Sequence, residues 1–182
     1  GSVTYTVEPE QAGAEFNLAV RYPGWCHQMQ VKVNGIPVSG AVKTDKGYWM
    51  IRRSWQPGDT VSCEMEMEPE RVYAHPMVRA DAGCVALRRG PIIYTFEGVD
   101  NGEDLQTLRI PREAKIEALP YQADLLEGIV ALRVTGCRKK TAVNPALYAE
   151  DAAPEEVVTL QAIPYYAWCN RGMTHMRVWM QE

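Results

Sequence analysis

Thr60-Val-Ser-Cys-Glu-Met-Glu-Met-Glu68 alternates with a period of two: Val61, Cys63, Met65 and Met67 fall on one side, Ser62, Glu64, Glu66 and Glu68 on the other. Successive side chains of an extended chain point to opposite faces, so this is a strand with one face in a core and the other in water. The same rhythm surrounds it. Pro57-Gly58-Asp59 is a turn into the strand, and Tyr48–Trp55 ("YWMIRRSW") is the strand before the turn. In "FNLAVRY", Phe16, Leu18, Val20 and Tyr22 share a face. "VKVNGIPV" places Asn34-Gly35, a dipeptide suited to positive φ at both central turn positions, between two short apolar runs, which predicts a hairpin. A further tip is expected at Asp45-Lys46-Gly47.

Beyond Arg71 the pattern restarts. Asp81-Ala82-Gly83 reads as a tight turn, "CVALRR" as a strand, Gly90-Pro91 as a break and "IIYTFEG" as the next strand. Proline lacks the amide proton that a central ladder needs, so Pro91 belongs at a strand's start. "TLRIP", "GIVALRV", "VVTLQAIPYYAW" and "MRVWM" continue the theme. Helix signals are limited to one or two turns in "PREAKIEA" and "PYQADLLEG", and the stretch from Thr141 to Glu156 reads as a loop. The expected class is all-β: an antiparallel β-sandwich architecture in two consecutive sandwich-like domains, residues 3–78 and 79–182, joined by a Pro-containing connection near Pro76 to Asp81.

Composition narrows the function classes. The 182 residues are 46% hydrophobic, enough for a sizeable core, and the net charge of -4 argues against a partner held by phosphate neutralisation, so no nucleic acid is expected. No run approaches the roughly 18 apolar residues that cross a bilayer, so no membrane partner is expected. Gly1-Ser2 is the dipeptide a cleaved tag leaves, and position 1 is read as not being the native start. Cys26, Cys63, Cys84, Cys137 and Cys169 are an odd number without a Cys-x-x-Cys pair, which fits small buried hydrophobes in a reducing compartment better than zinc or redox spacing.

Catalytic groupings are hard to find. Glu64, Glu66 and Glu68 share a strand face about 7 Å apart, a spacing that can serve a glycosidase pair but more often marks a solvated face. Glu97 and Asp100 form a second carboxylate candidate without visibly different environments. Cys26-His27 are adjacent, and strand neighbours face opposite ways; His175 is read as a surface or interface residue on a strand with Arg177 and Trp179. No phosphate loop, dinucleotide fingerprint or His-Glu-x-x-His motif is present. Five tryptophans remain. Trp55 joins Trp25, Trp49, Trp168 and Trp179 as candidates, the latter four being retained as sugar or interface contacts; the competing reading is core packing.

Five phrases together, "NLAVRYPGWC", "VKVNGIPV", "GYWMIRRSWQPGDTVSCEMEM", "VALRRGPIIYTFEGVDN" and "IPYYAWCNRGMTHMRVWM", resemble the C-terminal region of glycoside hydrolase family 127, the bacterial β-L-arabinofuranosidase family. The resemblance covers nearly the whole chain. It implies a parent with a catalytic (α/α)6 barrel upstream, carrying a zinc-held cysteine nucleophile and a glutamate acid/base, followed by β-sandwich domains. On that reading this chain holds no catalytic, metal-binding or cofactor-binding residue and needs no cofactor of its own. Its partner is the barrel of the parent chain, with a homodimer as a further candidate, in the bacterial cytoplasm. Its role is architectural, with a carbohydrate-binding module using exposed tryptophans as the alternative. Arg88, Arg89 and Glu97 are expected at the interface with the barrel. The resemblance begins at "VTYTVEPE", which implies a first sandwich truncated at its N-terminus and an exposed edge near Val3 to Val7.

Overall fold

The computed structural model describes residues 1–38, 42–43, 46–140, 148 and 150–182. It is all-β, with antiparallel sheets in two compact units, Gly1–Met67 and Glu68–Glu182.

The first unit holds β1 (Ser2–Val7), β2 (Ala14–Arg21), β3 (Met29–Val33), β4 (Ile36–Pro37), β5 (Val42–Lys43), β6 (Tyr48–Trp55) and β7 (Asp59–Met65). One sheet runs β1-β7-β3-β4 and the other β2-β6-β5. Val31, Val33, Val61 and Cys63 of the first sheet pack with Val20, Ile51 and Trp55 of the second, so the two inner faces make a sandwich core. Trp55 is fully buried, stacks on Phe16 with ring centroids 5.7 Å apart, and donates its indole N–H to the Phe16 carbonyl at 3.1 Å.

The Asn-Gly turn behaves as its chemistry requires. Asn34 and Gly35 lie at φ 52° and 78° between β3 and β4, the hand that matches the twist of flanking strands. Asn34 Nδ2 donates to Asp59 at 2.7 Å, and its Oδ1 accepts the Thr60 amide at 2.8 Å. The turn is thereby tied to the start of β7.

Two expectations change in this unit. β7 stops at Met65, because β1 and β3 end opposite Glu64 and Met65. Glu66 and Glu68 lie past the strand, and all three glutamates of the stripe are exposed, with Glu64 paired to Lys32 at 2.9 Å. The expected tip at Asp45 lies outside the described residues. The division between units falls at Met67/Glu68, earlier than the expected 3–78 and 79–182, because Pro69–Val72 forms β8 and pairs antiparallel with β9 (Cys84–Arg89) in the second unit. β1 ends its sheet as an edge strand, with Val3 and Tyr5 exposed.

The second unit continues with β10 (Ile92–Glu97), the single-turn helix α1 (Gly98–Asn101), β11 (Leu108–Arg109), β12 (Ile116–Ala118), β13 (Leu132–Lys139), β14 (Glu155–Pro164), β15 (Met176–Arg177) and β16 (Met180–Gln181). Its pairings close on themselves: β9 to β10, β10 to β14, β14 to β13, β13 to β11, β11 to β16, and β16 back to β9. All are antiparallel except β11–β16. A closed ring leaves few free edges. Inside it lie Val85, Leu87, Tyr94, Phe96, Leu132, Val134, Leu160 and Met180.

Pro91 does precede its strand, and Gly90 turns at φ 58°. "PREAKIEA" and "PYQADLLEG" form turns and short strand pairings instead of helix. Helical periodicity there is too short to outweigh the pairing of Ile116–Ala118 with β13 and the bridge from Gln122 to Ile129. Of the expected loop, residues 141–147 and 149 lie outside the described residues, while Glu155 and Glu156 already belong to β14.

Candidate functional site

A dense polar arrangement forms where β10 ends. Tyr94 and Phe96 point into the core, yet Thr95 and Glu97 on the opposite face are also buried. A buried carboxylate must be paired and hydrogen-bonded to be tolerated. Glu97 is both: one oxygen accepts the Cys169 backbone N–H at 2.7 Å, and the other binds the guanidinium of Arg171. Arg171 also reaches Asp100, with Nη1 donating to Oδ1 at 2.9 Å and Nη2 to Oδ2. The hydrogen bonds to Asp100 first, and then those to Glu97, raise the guanidinium's pKa against the opposing effect of burial.

The neighbouring helical turn is held equally tightly. Asn101 Nδ2 donates to the carbonyls of Glu97 and Gln161 at 2.9 and 2.8 Å, and its Oδ1 accepts the Gln161 amide at 2.9 Å. Gly98 N–H donates to the His175 carbonyl at 2.9 Å, and a Cβ on Gly98 would lie 2.8 Å from Thr174 Oγ1. One guanidinium thus engages both carboxylates. The cluster braces a loop.

That loop, Tyr165 to Gly172, follows β14 and forms one wall of a cavity of about 490 Å³. Tyr166, Ala167 and Asn170 line it on this side, Leu126 and Glu127 on the other. Tyr166 is 66% exposed, while Ala167 is anchored in a small apolar cluster with Ile129, Ala131 and Ile163. Both walls carry backbone in the left-handed region without glycine: Leu126, Glu127 and Cys169 have φ 51°, 61° and 65°. Such positions cost of order 1–3 kcal/mol each and persist only when their surroundings hold them. Glu97 supplies that hold for Cys169. On the other side Tyr121 lies so close over Gly128, at φ 106°, that a Cβ there would meet its hydroxyl at 1.8 Å.

The tryptophans differ in burial. None of the five is exposed: Trp55 is in the core, Trp25 and Trp49 pack against it, and Trp168 and Trp179 are half-buried. Trp49 also meets Tyr22 at 6.1 Å between centroids. Cys26 is buried and its thiol donates to the Gln28 carbonyl, whereas His27 is exposed; the two do not form a catalytic pair. His175 is exposed, just ahead of β15. Arg88 pairs with Glu70, and Arg89 lies against the phenol of Tyr94, whose pKa burial raises and Arg89 partly restores. Glu97 faces inward and is not available to an interface.

The thiols Cys26, Cys63 and Cys84 are buried as expected, but Cys137 is half-buried and Cys169 exposed; all five are free. Among the described residues no three His, Cys, Asp or Glu side chains group as metal ligands do. Arg171, the partner of both carboxylates, lies 74 positions from Glu97 in the sequence. The only local signal for that pairing is an arginine flanked by Asn170 and Gly172 after an aromatic run.

Comparison with known proteins gives a consistent picture. Residues 1–67 match the family model described as the GH127 middle domain of β-L-arabinofuranosidase, and residues 69–181 the one described as the glycoside hydrolase family 127 C-terminal domain. The non-reducing end β-L-arabinofuranosidase of Bifidobacterium longum subsp. longum is 34% identical over 192 aligned positions, covering all of this chain and 29% of the relative. Among solved structures, a GH127 β-L-arabinofuranosidase from Geobacillus stearothermophilus T6 superposes with a TM-score of 0.92 at 48% identity, covering all of this chain and 29% of that one. A further GH127 β-arabinofuranosidase gives 0.83 at 30% identity, with 30% of its chain covered.

Proposed function

Because the chain belongs to glycoside hydrolase family 127 and spans its middle and C-terminal domains, we propose that it is the non-catalytic β-region of a bacterial glycosidase, bracing a catalytic (α/α)6 barrel carried elsewhere in the parent. The observation that carries this reading is coverage. Every part of the chain aligns with its relatives, yet it spans only 29% of the length of the curated relative it matches. The parent's reaction on this reading is hydrolysis of terminal β-L-arabinofuranosides, with the nucleophile, the acid/base and any zinc site supplied by the barrel. No carboxylate of this chain takes a catalytic role.

The internal construction suits a brace. Glu97, Asp100, Asn101, Arg138 and Arg171 lock β10, α1 and the Tyr165–Gly172 loop together with charge-assisted hydrogen bonds, which are shorter and stronger than neutral ones. A homodimer contact belongs to the proposal, supported by the exposed edge of β1. So does a cytoplasmic location, supported by five free thiols.

The test removes this region from the full-length parent. On the scaffold reading the remaining barrel is expressed with reduced solubility and a lowered melting temperature, and adding the separately purified 182-residue chain restores stability. A barrel equally stable and active without it contradicts the reading.

A further inference from the structure

We propose that the cavity between the Leu126–Glu127 turn and the Tyr165–Gly172 loop is a binding site for a neutral saccharide residue. Its volume of about 490 Å³ lies within the range of small-ligand sites and exceeds what one packing defect leaves. The lining sets the ligand's chemistry. Tyr166 offers a largely exposed ring face, Asn170 and Glu127 offer polar side chains, and Leu126 and Ala167 supply an apolar floor.

A sugar ring presents the matching surfaces: a patch of C–H bonds for an aromatic face and hydroxyls at its edge for an amide and a carboxylate. An anionic ligand would meet the Glu127 carboxylate, for which the described residues show no cationic partner. A purely apolar ligand would leave Glu127 and Asn170 desolvated without compensation. Neutral polyhydroxylated ligands satisfy both walls.

The second observation is strain. Two non-glycine residues in left-handed backbone, Leu126 and Glu127, line the cavity, and a third, Cys169, lies in the loop that supplies Tyr166, Ala167 and Asn170. Buried Glu97 holds the Cys169 amide from beneath, and Asn170 Nδ2 is turned toward the Ala167 carbonyl at 3.1 Å, fixing the amide's orientation at the rim. A leucine at positive φ is a costly way to make a plain turn. Preorganised walls reduce the ordering cost of binding a small ligand.

The experiment is a titration of the isotopically labelled chain with methyl β-L-arabinofuranoside, followed by amide chemical shifts, with glycerol at matched concentration as the control. Saturable shifts confined to residues 126–128 and 166–170, with a dissociation constant of about 1 mM, are expected with the glycoside alone. Tyr166→Ala weakens binding about tenfold while Tyr166→Phe retains it, and Glu127→Gln weakens it less. Tyr166 and Glu127 are exposed, so unchanged spectra elsewhere certify the fold. No saturable shift, equal shifts with glycerol, or binding indifferent to Tyr166→Ala overturns the proposal. None of these results bears on the scaffold role, which the barrel-complementation experiment tests separately.

Discussion

Glu97, at the end of β10, accepts the backbone N–H of Cys169 at 2.7 Å across 72 positions of sequence. This bond and the Arg171 pair make one buried carboxylate responsible for the loop that follows β14. Glu97→Ala leaves the Cys169 amide without its partner and Arg171 with Asp100 alone. Breaking a buried, hydrogen-bonded pair costs roughly 3 kcal/mol, read as a fall in the urea midpoint of the second unit. A loss under about 0.5 kcal/mol would be what an exposed pair gives and would show that the brace is not needed.

The final residue closes a second network. Glu182 accepts from Arg112 at 3.0 Å, from Arg71 at 3.2 Å and from the Tyr73 hydroxyl at 2.7 Å. These bonds, Arg112 foremost, hold its carboxyl below the usual carboxylate value. A depressed folded pKa contributes stability that is present above the unfolded carboxylate value, near 4.3, and is lost as pH falls through the folded value. Glu182→Gln therefore lowers stability at pH 7 and flattens its decline below about pH 4.3. Thermal melts of both forms across that window check this; parallel curves would contradict it.

In the first unit the turn residue Asn34 combines positive φ with two side-chain bonds to the start of β7. Asn34→Ala removes both and places alanine in left-handed backbone. The expected cost is about 2 kcal/mol, visible as earlier unfolding of the Trp55 fluorescence signal.

Gly136, inside β13, packs beneath Leu160: an added Cβ would lie 2.3 Å from Leu160 Cδ1 and 2.9 Å from the Arg109 carbonyl. One of these neighbours is backbone and cannot swing aside. Gly136→Ala should destabilise by about 2 kcal/mol through overpacking, and pairing it with Leu160→Ala should recover part of the loss.

What the sequence makes legible follows from the range of each signal. Alternation reveals β7 and β10 because strand periodicity is local, and Asn34-Gly35 names its turn because two adjacent residues carry the φ requirement. The unit boundary is not legible: the Pro76 to Asp81 stretch reads as the connection, and only the pairing of β8 with β9 shows that the second unit begins before it. Glu97 and Asp100 look like an acid/base pair until Arg171 is placed between them. The cavity walls are equally hidden, since nothing local in "DLLEG" announces left-handed backbone at Leu126 and Glu127. The family resemblance is legible because it rests on ordered short phrases, which need no three-dimensional contact.

The proposal that the chemistry lies elsewhere in the parent is most directly tested by hydrolysis of 4-nitrophenyl β-L-arabinofuranoside by the purified 182-residue chain, alongside the full-length parent. Turnover by the parent and none above the uncatalysed rate by the chain is the expected result. Turnover by the chain alone that survives repeated purification and disappears in Glu97→Gln would contradict it.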